Sequence, residues 1–210
     1  MSQHTPAAST EAAPVNAPRR NPATDIALIA VFAAFIAVCS IVSFPVGAAP
    51  ITLQTFAVLF TGAALGANRG LLAVLLYLAV GAAGLPVFAG GSAGLAPFAG
   101  PTVGYLVGFP LAAWLTGFIV RRLPRRNVAL FTVLIFVAAL VSEIVFIYPL
   151  GIGGLMWRAG MDFPSAFALN LTFVPLDLVK TALAAIVAAP VHRAFPALLP
   201  AAPRRVRPAA

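Results

Sequence analysis

The sequence predicts an all-α integral membrane protein, a bundle of about six transmembrane helices with both termini in the cytoplasm. Scarcity of charge, the length of the charge-free runs and the placement of the arginines carry that expectation. Hydrophobic residues make up 61% of the 210-residue chain and charged residues 9%. A soluble domain carries roughly 25% charged residues. Crossing about 30 Å of hydrocarbon takes roughly 20 mainly apolar residues per helix. Residues 26–68 and 70–120 contain no charge, and each run has room for two spans. Residues 127–148 and about 168–192 supply one span each, with isolated ionisable residues inside them.

The net charge of +8 raises the question of a nucleic-acid partner. The positions of the charges point elsewhere. With a cytoplasmic N-terminus and six spans, Arg19, Arg20, Arg69, Arg121, Arg122, Arg125, Arg126, Arg193, Arg204, Arg205 and Arg207 all fall inside. Only Arg158 falls outside, and Lys180 lies within a span. This is a positive-inside pattern, which an odd number of spans would spoil. The basic tail then reflects topology and contact with anionic lipid, with no nucleic acid involved.

Residues 1–22 are rich in Ala, Pro, Ser and Thr and lack the apolar region of a signal peptide, so they read as a disordered cytoplasmic tail. Residues 23–195 form the membrane domain. The first span is predicted at residues 25–43, with polar capping residues from Asn21 to Asp25 and a stop at Phe44-Pro45. A short outer loop, 46–50, leads to the second span at 51–66. Asn68-Arg69-Gly70 is predicted as a tight inner turn before the third span, 71–84. A long outer segment covers 85–100, and the fourth span 101–120. After the Arg-rich inner loop 121–126, which contains Pro124, the fifth span is predicted at 128–148. The segment 149–165 is read as an outer connection with room for a short interfacial helix. The sixth span ends near His192, and 196–210 is a basic, Pro-rich cytoplasmic tail. The two halves share no repeated motif, which weakens the case for an inverted-repeat transporter.

The segment from Gly84 to Gly94, GLPVFAGGSAG, is the most unusual stretch. Non-helical backbone at membrane depth is tolerated where it is buried in protein or lines a cavity. Glycine lets amides approach a ligand closely. Being uncharged, the stretch suits a neutral polar ligand group, with Phe88 placed to cover an apolar ring; a plain outer loop of turn formers reads equally well. Gly90-Gly91-Ser92-Ala93-Gly94 also fits the G-x-S-x-G nucleophile pattern, which needs a base. The two histidines, His4 and His192, are both predicted on the cytoplasmic side, so an intramembrane enzyme is disfavoured.

Charges inside a membrane cost several kcal/mol and face a cavity or a partner. Glu143 falls near the outer end of the fifth span. Asp177 and Lys180 follow Pro175 in the sixth, spaced i, i+3 on one helix face. They form either an ion pair locking that helix to the bundle or a recognition site. Carboxylate and ammonium offer an acceptor and three donors, suited to a small molecule with N–H and O groups. Lys180 is the sole lysine and no Gly-Lys exists, which excludes a Walker A loop. Any ATP-driven step needs a separate ATPase. The single cysteine, Cys39, reads as core packing, and no zinc-ligand spacing exists; no metal and no cofactor is expected. Small residues recur at helical spacing in the first span, including Ala27, Ala30, Ala34 and Ala37, and as Gly62/Gly66 and Gly104/Gly108. Such stripes let membrane helices approach closely, within the bundle or, on the first span, against another membrane protein.

The run from Gly84 to Gly91, followed by Gly100-Pro101-Thr102-Val103-Gly104-Tyr105-Leu106-Val107-Gly108-Phe109, resembles the BioY family, the biotin-binding S components of energy-coupling factor (ECF) transporters. Pro175-Leu176-Asp177-Leu178-Val179-Lys180 and Ile51-Thr52-Leu53-Gln54-Thr55 are similar to further motifs of that family. The resemblance covers roughly residues 25–193. It implies a six-helix bundle of the S-component type in the cell membrane, with a biotin site near the outer face. Carried over by motif, Asp177 and Lys180 would hydrogen-bond biotin, and Phe88, Gly90, Gly91 and Tyr105 would shape the pocket, with Gln54 a further candidate. Trp157 and Glu143 join the candidate set from their predicted position, since the family motif does not assign them. The resemblance also implies a transmembrane coupling protein docked on the first span, two ATPase subunits that alone use ATP, and capture outside followed by reorientation and release inside. An S component for another vitamin and a stand-alone biotin transporter are the alternatives.

Overall fold

Asn21 starts the first helix, because its Oδ1 accepts from the amide of Ala23 at 3.0 Å and Pro22 follows at the first helical position. The computed structural model describes residues 21–45, 48–196 and 198. The two tails expected at 1–22 and 196–210 lie outside the described residues, save for positions 21, 22, 196 and 198. Helix α1 spans Pro22–Ile41. Two short strands, β1 (Ser43–Phe44) and β2 (Ile51–Thr52), pair antiparallel across the loop that follows. Then come α2 (Gln54–Leu65), α3 (Ala67–Ala82), a short α4 (Ala96–Ala99), α5 (Val103–Val120), α6 (Val128–Ser142), α7 (Tyr148–Ala159) and α8 (Phe163–Ala194).

Among the described residues four helical stretches are long and apolar enough to cross a membrane: Pro22–Ile41, Val103–Val120, Val128–Ala159 and Phe163–Ala194. The other two expected spans, α2 and α3, have 12 and 16 residues. At 1.5 Å per residue they reach only about 18 and 24 Å. Helix α2 sits at the centre of the bundle, packed on α1, α3, α5 and α8. Nearly every one of its residues is buried, as expected of a helix that is apolar all round.

Three boundaries differ from the sequence expectation. Asn68-Arg69-Gly70 is not a turn but the first turn of α3. The reversal is made at Gly66 alone, at φ 83°, where glycine bears a left-handed conformation without a Cβ penalty. Its N–H closes α2 on Gly62, and its carbonyl receives the amide of Gly70. Arg69 pairs with Asp25 of α1 at 3.3 Å.

The segment 149–165 is not an outer connection. A π-helical turn at Glu143–Ile147 joins α6 to α7 in one continuous helix, Val128–Ala159. Such turns insert a residue into the helical ladder, and this one also brings in Pro149, which has no N–H to donate. The helix ends at Gly160 in the left-handed conformation. Helix α8 starts at Phe163, earlier than the expected residue 168, because Asp162 Oδ1 accepts from the Ser165 amide at 3.3 Å and Pro164 follows.

Glycines set the helix contacts. A Cβ on Gly104 would overlap the carbonyl of Leu150 and lie within 3.0 Å of the Gly154 amide, so α5 and α7 touch backbone to backbone. Gly62 meets Ala113 and Gly117 meets Gly66 in the same way. Gly62 and the Gly104/Gly108 stripe thus pack within the bundle. On α1, Ala33, Ile36, Cys39 and Ser40 face inward, while Ala27, Ala30 and Ala34 are exposed and Ala37 is half-buried.

Overpacking a tight contact destabilises by about 1–3 kcal/mol. Gly104→Ala is therefore expected to lower the thermal unfolding midpoint of the detergent-solubilised protein. Gly153→Ala, where nothing lies within 4 Å of the added Cβ, is expected to leave it unchanged or raise it.

Candidate ligand-binding site

Chain direction places the start of α2, the end of α3 and the start of α5 at one end of the bundle, opposite the arginine-rich connection at 121–126. A cavity of ≈ 670 Å³, counting its open mouth, lies at that end. The loops before α2 and before α5 roof it, and α2, α5, α8 and Ile147 of the π-turn wall it.

The roof is shaped by positive-φ glycines. Gly90 and Gly91 sit at φ 64° and 78° in a 3-10 turn over Ala89–Gly91. No atom lies within 4 Å of a Cβ built on either, so backbone conformation is what selects glycine there. The turn closes through Gly91 N–H to the Phe88 carbonyl at 2.9 Å and Phe88 N–H to the Ser92 carbonyl at 3.0 Å. Phe88 is thereby driven inward until it is 1% exposed, seated over Gly81 and edge-on to Tyr77 and Phe98 at 5.5 Å. Ser40 Oγ donates to the Val87 carbonyl and ties the roof to α1.

On the α2 side, Thr52 Oγ1 donates to Gln54 Oε1 at 2.9 Å, and Gln54 Nε2 donates to the Tyr77 hydroxyl at 2.6 Å. Gln54 is thus held rigidly on the wall. Tyr105 stands on Gly151, donates to Asn170 Oδ1 at 3.0 Å and meets Phe173 edge-on. Facing them on α8, Lys180 Nζ lies 3.0 Å from Asp177 Oδ1, with both side chains nearly fully buried. A charged pair therefore stands on a wall otherwise built largely of Phe88, Leu106, Phe109, Ile147 and Phe173.

The structure brings Asp177, Lys180, Phe88, Tyr105 and Gln54 together around one cavity. It does not bring in the other candidates. Gly90 and Gly91 hold the roof turn without lining the wall. Trp157 is 74% exposed. Glu143 is fully buried and does not line the cavity, its Oε2 accepting from Thr181 Oγ1 at 2.9 Å and its Oε1 without a partner among the described residues. Sequence reading missed Thr52, Pro97, Thr102, Ile147 and Phe173. Phe173, Asp177 and Lys180 are spaced i, i+4, i+7, so the α8 member could have been found from helical periodicity. The loop members carry no such signal. Ser92 of the G-x-S-x-G pattern donates to Ala89 at 2.9 Å, and His192 lies at the opposite end of α8.

The profile of the BioY family matches residues 8–197. The chain is 41% identical over 182 residues to the "Biotin transporter BioY" of Rhizobium etli, covering 84% of this chain and 97% of that protein. It is 43% identical over 186 residues to the protein of the same description from Rhodobacter capsulatus, covering 83% and 96%. Its fold is similar to the crystal structure of the S-component for biotin from an ECF-type ABC transporter. The TM-score is 0.72 at 25% identity, over 81% of this chain and 92% of that one.

The Thr181–Glu143 hydrogen bond supports the helix that presents the charged pair. Thr181→Val leaves the buried Glu143 carboxyl with no donor and is expected to destabilise the fold by about 1–3 kcal/mol. Thr181→Ser keeps the donor and is expected to unfold close to wild type. Chemical denaturation in detergent checks both.

Proposed function

The chain belongs to the BioY family, and from that premise we propose that it is the biotin-capturing S component of a vitamin transporter powered by a separate ATPase and coupling module. It is a transport component and not an enzyme. The observation that carries the reading is the buried Asp177–Lys180 pair on an otherwise apolar and aromatic cavity wall.

Biotin's ureido group has two N–H donors and one carbonyl acceptor. Asp177 accepts from an N–H, and Lys180 donates to the carbonyl. The ring sulfur and the valerate chain lie against Phe88, Phe109 and Phe173, and Tyr105 closes the side. Gln54, fixed by Thr52 and Tyr77, presents a polar edge. Gly90 and Gly91 contribute by setting the turn behind Phe88, and Glu143 by anchoring Thr181 beside Lys180. A pocket that is mostly apolar with a few converging polar groups suits a small heterocyclic acid.

The chain crosses the cytoplasmic membrane six times with both termini inside and the cavity at the outer face. Helices α2 and α3 count as spans, because the loops that extend them carry non-helical backbone at membrane depth into protein contacts. The arginines at the opposite end, Arg69, Arg121, Arg122, Arg125, Arg126 and Arg193, support that orientation. The exposed alanines Ala27, Ala30 and Ala34, with Ala37 at the edge of the stripe, form the docking face for the coupling protein. ATP is consumed only by the partner subunits, and biotin is cargo, with no cofactor held by this chain. Capture at the outer face is followed by reorientation and release inside.

Purified in detergent without partners, the chain is expected to bind biotin tightly at one site in equilibrium titration. Absence of binding would end this reading. Asp177→Asn and Lys180→Ala each remove a charge-assisted hydrogen bond worth about 1.5–3 kcal/mol, so each is expected to weaken binding about 10- to 100-fold. If both variants fold and bind like wild type, the pair is a structural lock only. Bulky replacements on α1, Ala30→Trp with Ala34→Trp, are expected to abolish co-purification with the coupling protein while leaving biotin affinity unchanged.

A further inference from the structure

We propose that Arg158, held on the segment between the cavity-lining Pro97 and Thr102, binds the carboxylate of the captured ligand and sets a preference for the free acid over its neutral derivatives. This rests on the biotin reading above and concerns a residue that reading does not use.

Biotin is an anion at neutral pH, with its charge at the end of a flexible chain and its polar head uncharged. Asp177 and Lys180 pair with each other at 3.0 Å, so the deep site has no net charge to offer a carboxylate. Arg69, Arg121, Arg122, Arg125, Arg126 and Arg193 all lie toward the other end of the bundle. Among the described residues that leaves Arg158, in the last turn of α7.

Arg158 is positioned rather than merely exposed. Its Nε donates to the Ala99 carbonyl at 2.9 Å, and its guanidinium carbon lies 4.8 Å from the Trp157 ring centre. Ala99 stands between Pro97 and Thr102, which both line the cavity. One turn earlier, Gly154 packs on Pro101 and Gly104, next to Tyr105 of the wall, and fixes the end of α7 against the start of α5. With Nε spent on Ala99, the two terminal nitrogens form a fork with no acceptor among the described residues. Among the described residues no carboxylate lies within 4.0 Å; Asp162, four residues on, accepts from the Ser165 amide. A fork of this kind matches a carboxylate in two-point geometry. It acts on encounter as well as on the bound state, because an unneutralised charge steers anions toward it.

The test compares biotin with biotinamide, in which a carboxamide replaces the carboxylate, using full-length protein in zwitterionic nanodiscs. Wild type is expected to favour biotin about three- to tenfold. Arg158→Gln is expected to remove that preference by weakening biotin alone, mainly through a slower association rate, and the wild-type preference is expected to fade in about 1 M salt. Arg158→Lys is expected to restore part of the preference. Equal weakening of both ligands would overturn the proposal and leave Arg158 as a tie between α7 and the Ala99 segment. Unchanged affinity for both would also overturn it and leave an interfacial anchor. If wild type fails to bind either compound, the biotin reading itself falls. If wild type binds both equally, only the Arg158 proposal falls.

Discussion

Asp177 and Lys180 stand one turn apart on α8, nearly fully buried in a bundle of mostly apolar helices. Each alone is a charge the membrane rejects, and together they form a neutral unit. Removing one partner of such a pair costs about 3–5 kcal/mol through the charge left behind, although the intact pair contributes little net stability. The pair therefore dictates the rotation of α8. It must face inward, and it must meet a space where its remaining donors and acceptors have work. Thr181, the next residue, extends this by donating to Glu143 across to the α6–α7 helix. The polar groups of α8 and of the π-turn thus fix each other.

The space they face exists because other helices pack so closely. Backbone contacts at Gly62–Ala113, Gly104–Leu150 and Gly117–Gly66 draw α2, α5 and α7 together below and beside the cavity. Helix α2 has only 12 residues, about 18 Å, and so stops short of the bundle's length. Its missing turns become the cavity. Irregular backbone over it is covered by aromatic packing: Phe88 wedges into Gly81, Tyr77 and Phe98. The hydrogen bonds of Thr52, Gln54 and Tyr77 satisfy polar groups that the short helix leaves inside.

Much of this is written in local patterns. Asn21 is one of the polar capping residues expected ahead of the first span, and it caps α1 at Pro22, three residues before the expected start at 25. The end of α5 at the Arg-rich connection follows equally from local composition. The failures have a common cause. Gly66 and Asn68-Arg69-Gly70 all look like turn formers, and which residue makes the turn depended on the approach of Gly117 from α5. Gly151, Gly153 and Gly154 look like a loop, yet they are helical because Tyr105 and Gly104 press against Gly151 and Gly154.

Sequence alone determined the class of protein and marked Glu143, Asp177 and Lys180 as charges that had to be buried. Those follow from free energies of transfer, which depend on composition and run length. It also placed Asp177 and Lys180 on one face of α8, because i, i+3 spacing fixes their relative direction whatever surrounds them. Only the tertiary structure decided which buried charges meet the cavity. Glu143 and Asp177 are both carboxylates in membrane helices, yet the π-turn after Glu143 turns one toward Thr181, while α8 turns the other toward open space. Tertiary structure also turned Trp157 outward and left Arg158 against Ala99. Where no buried charge pair fixes it, a helix's rotation about its own axis is set by its neighbours, and no local pattern in the chain encodes it.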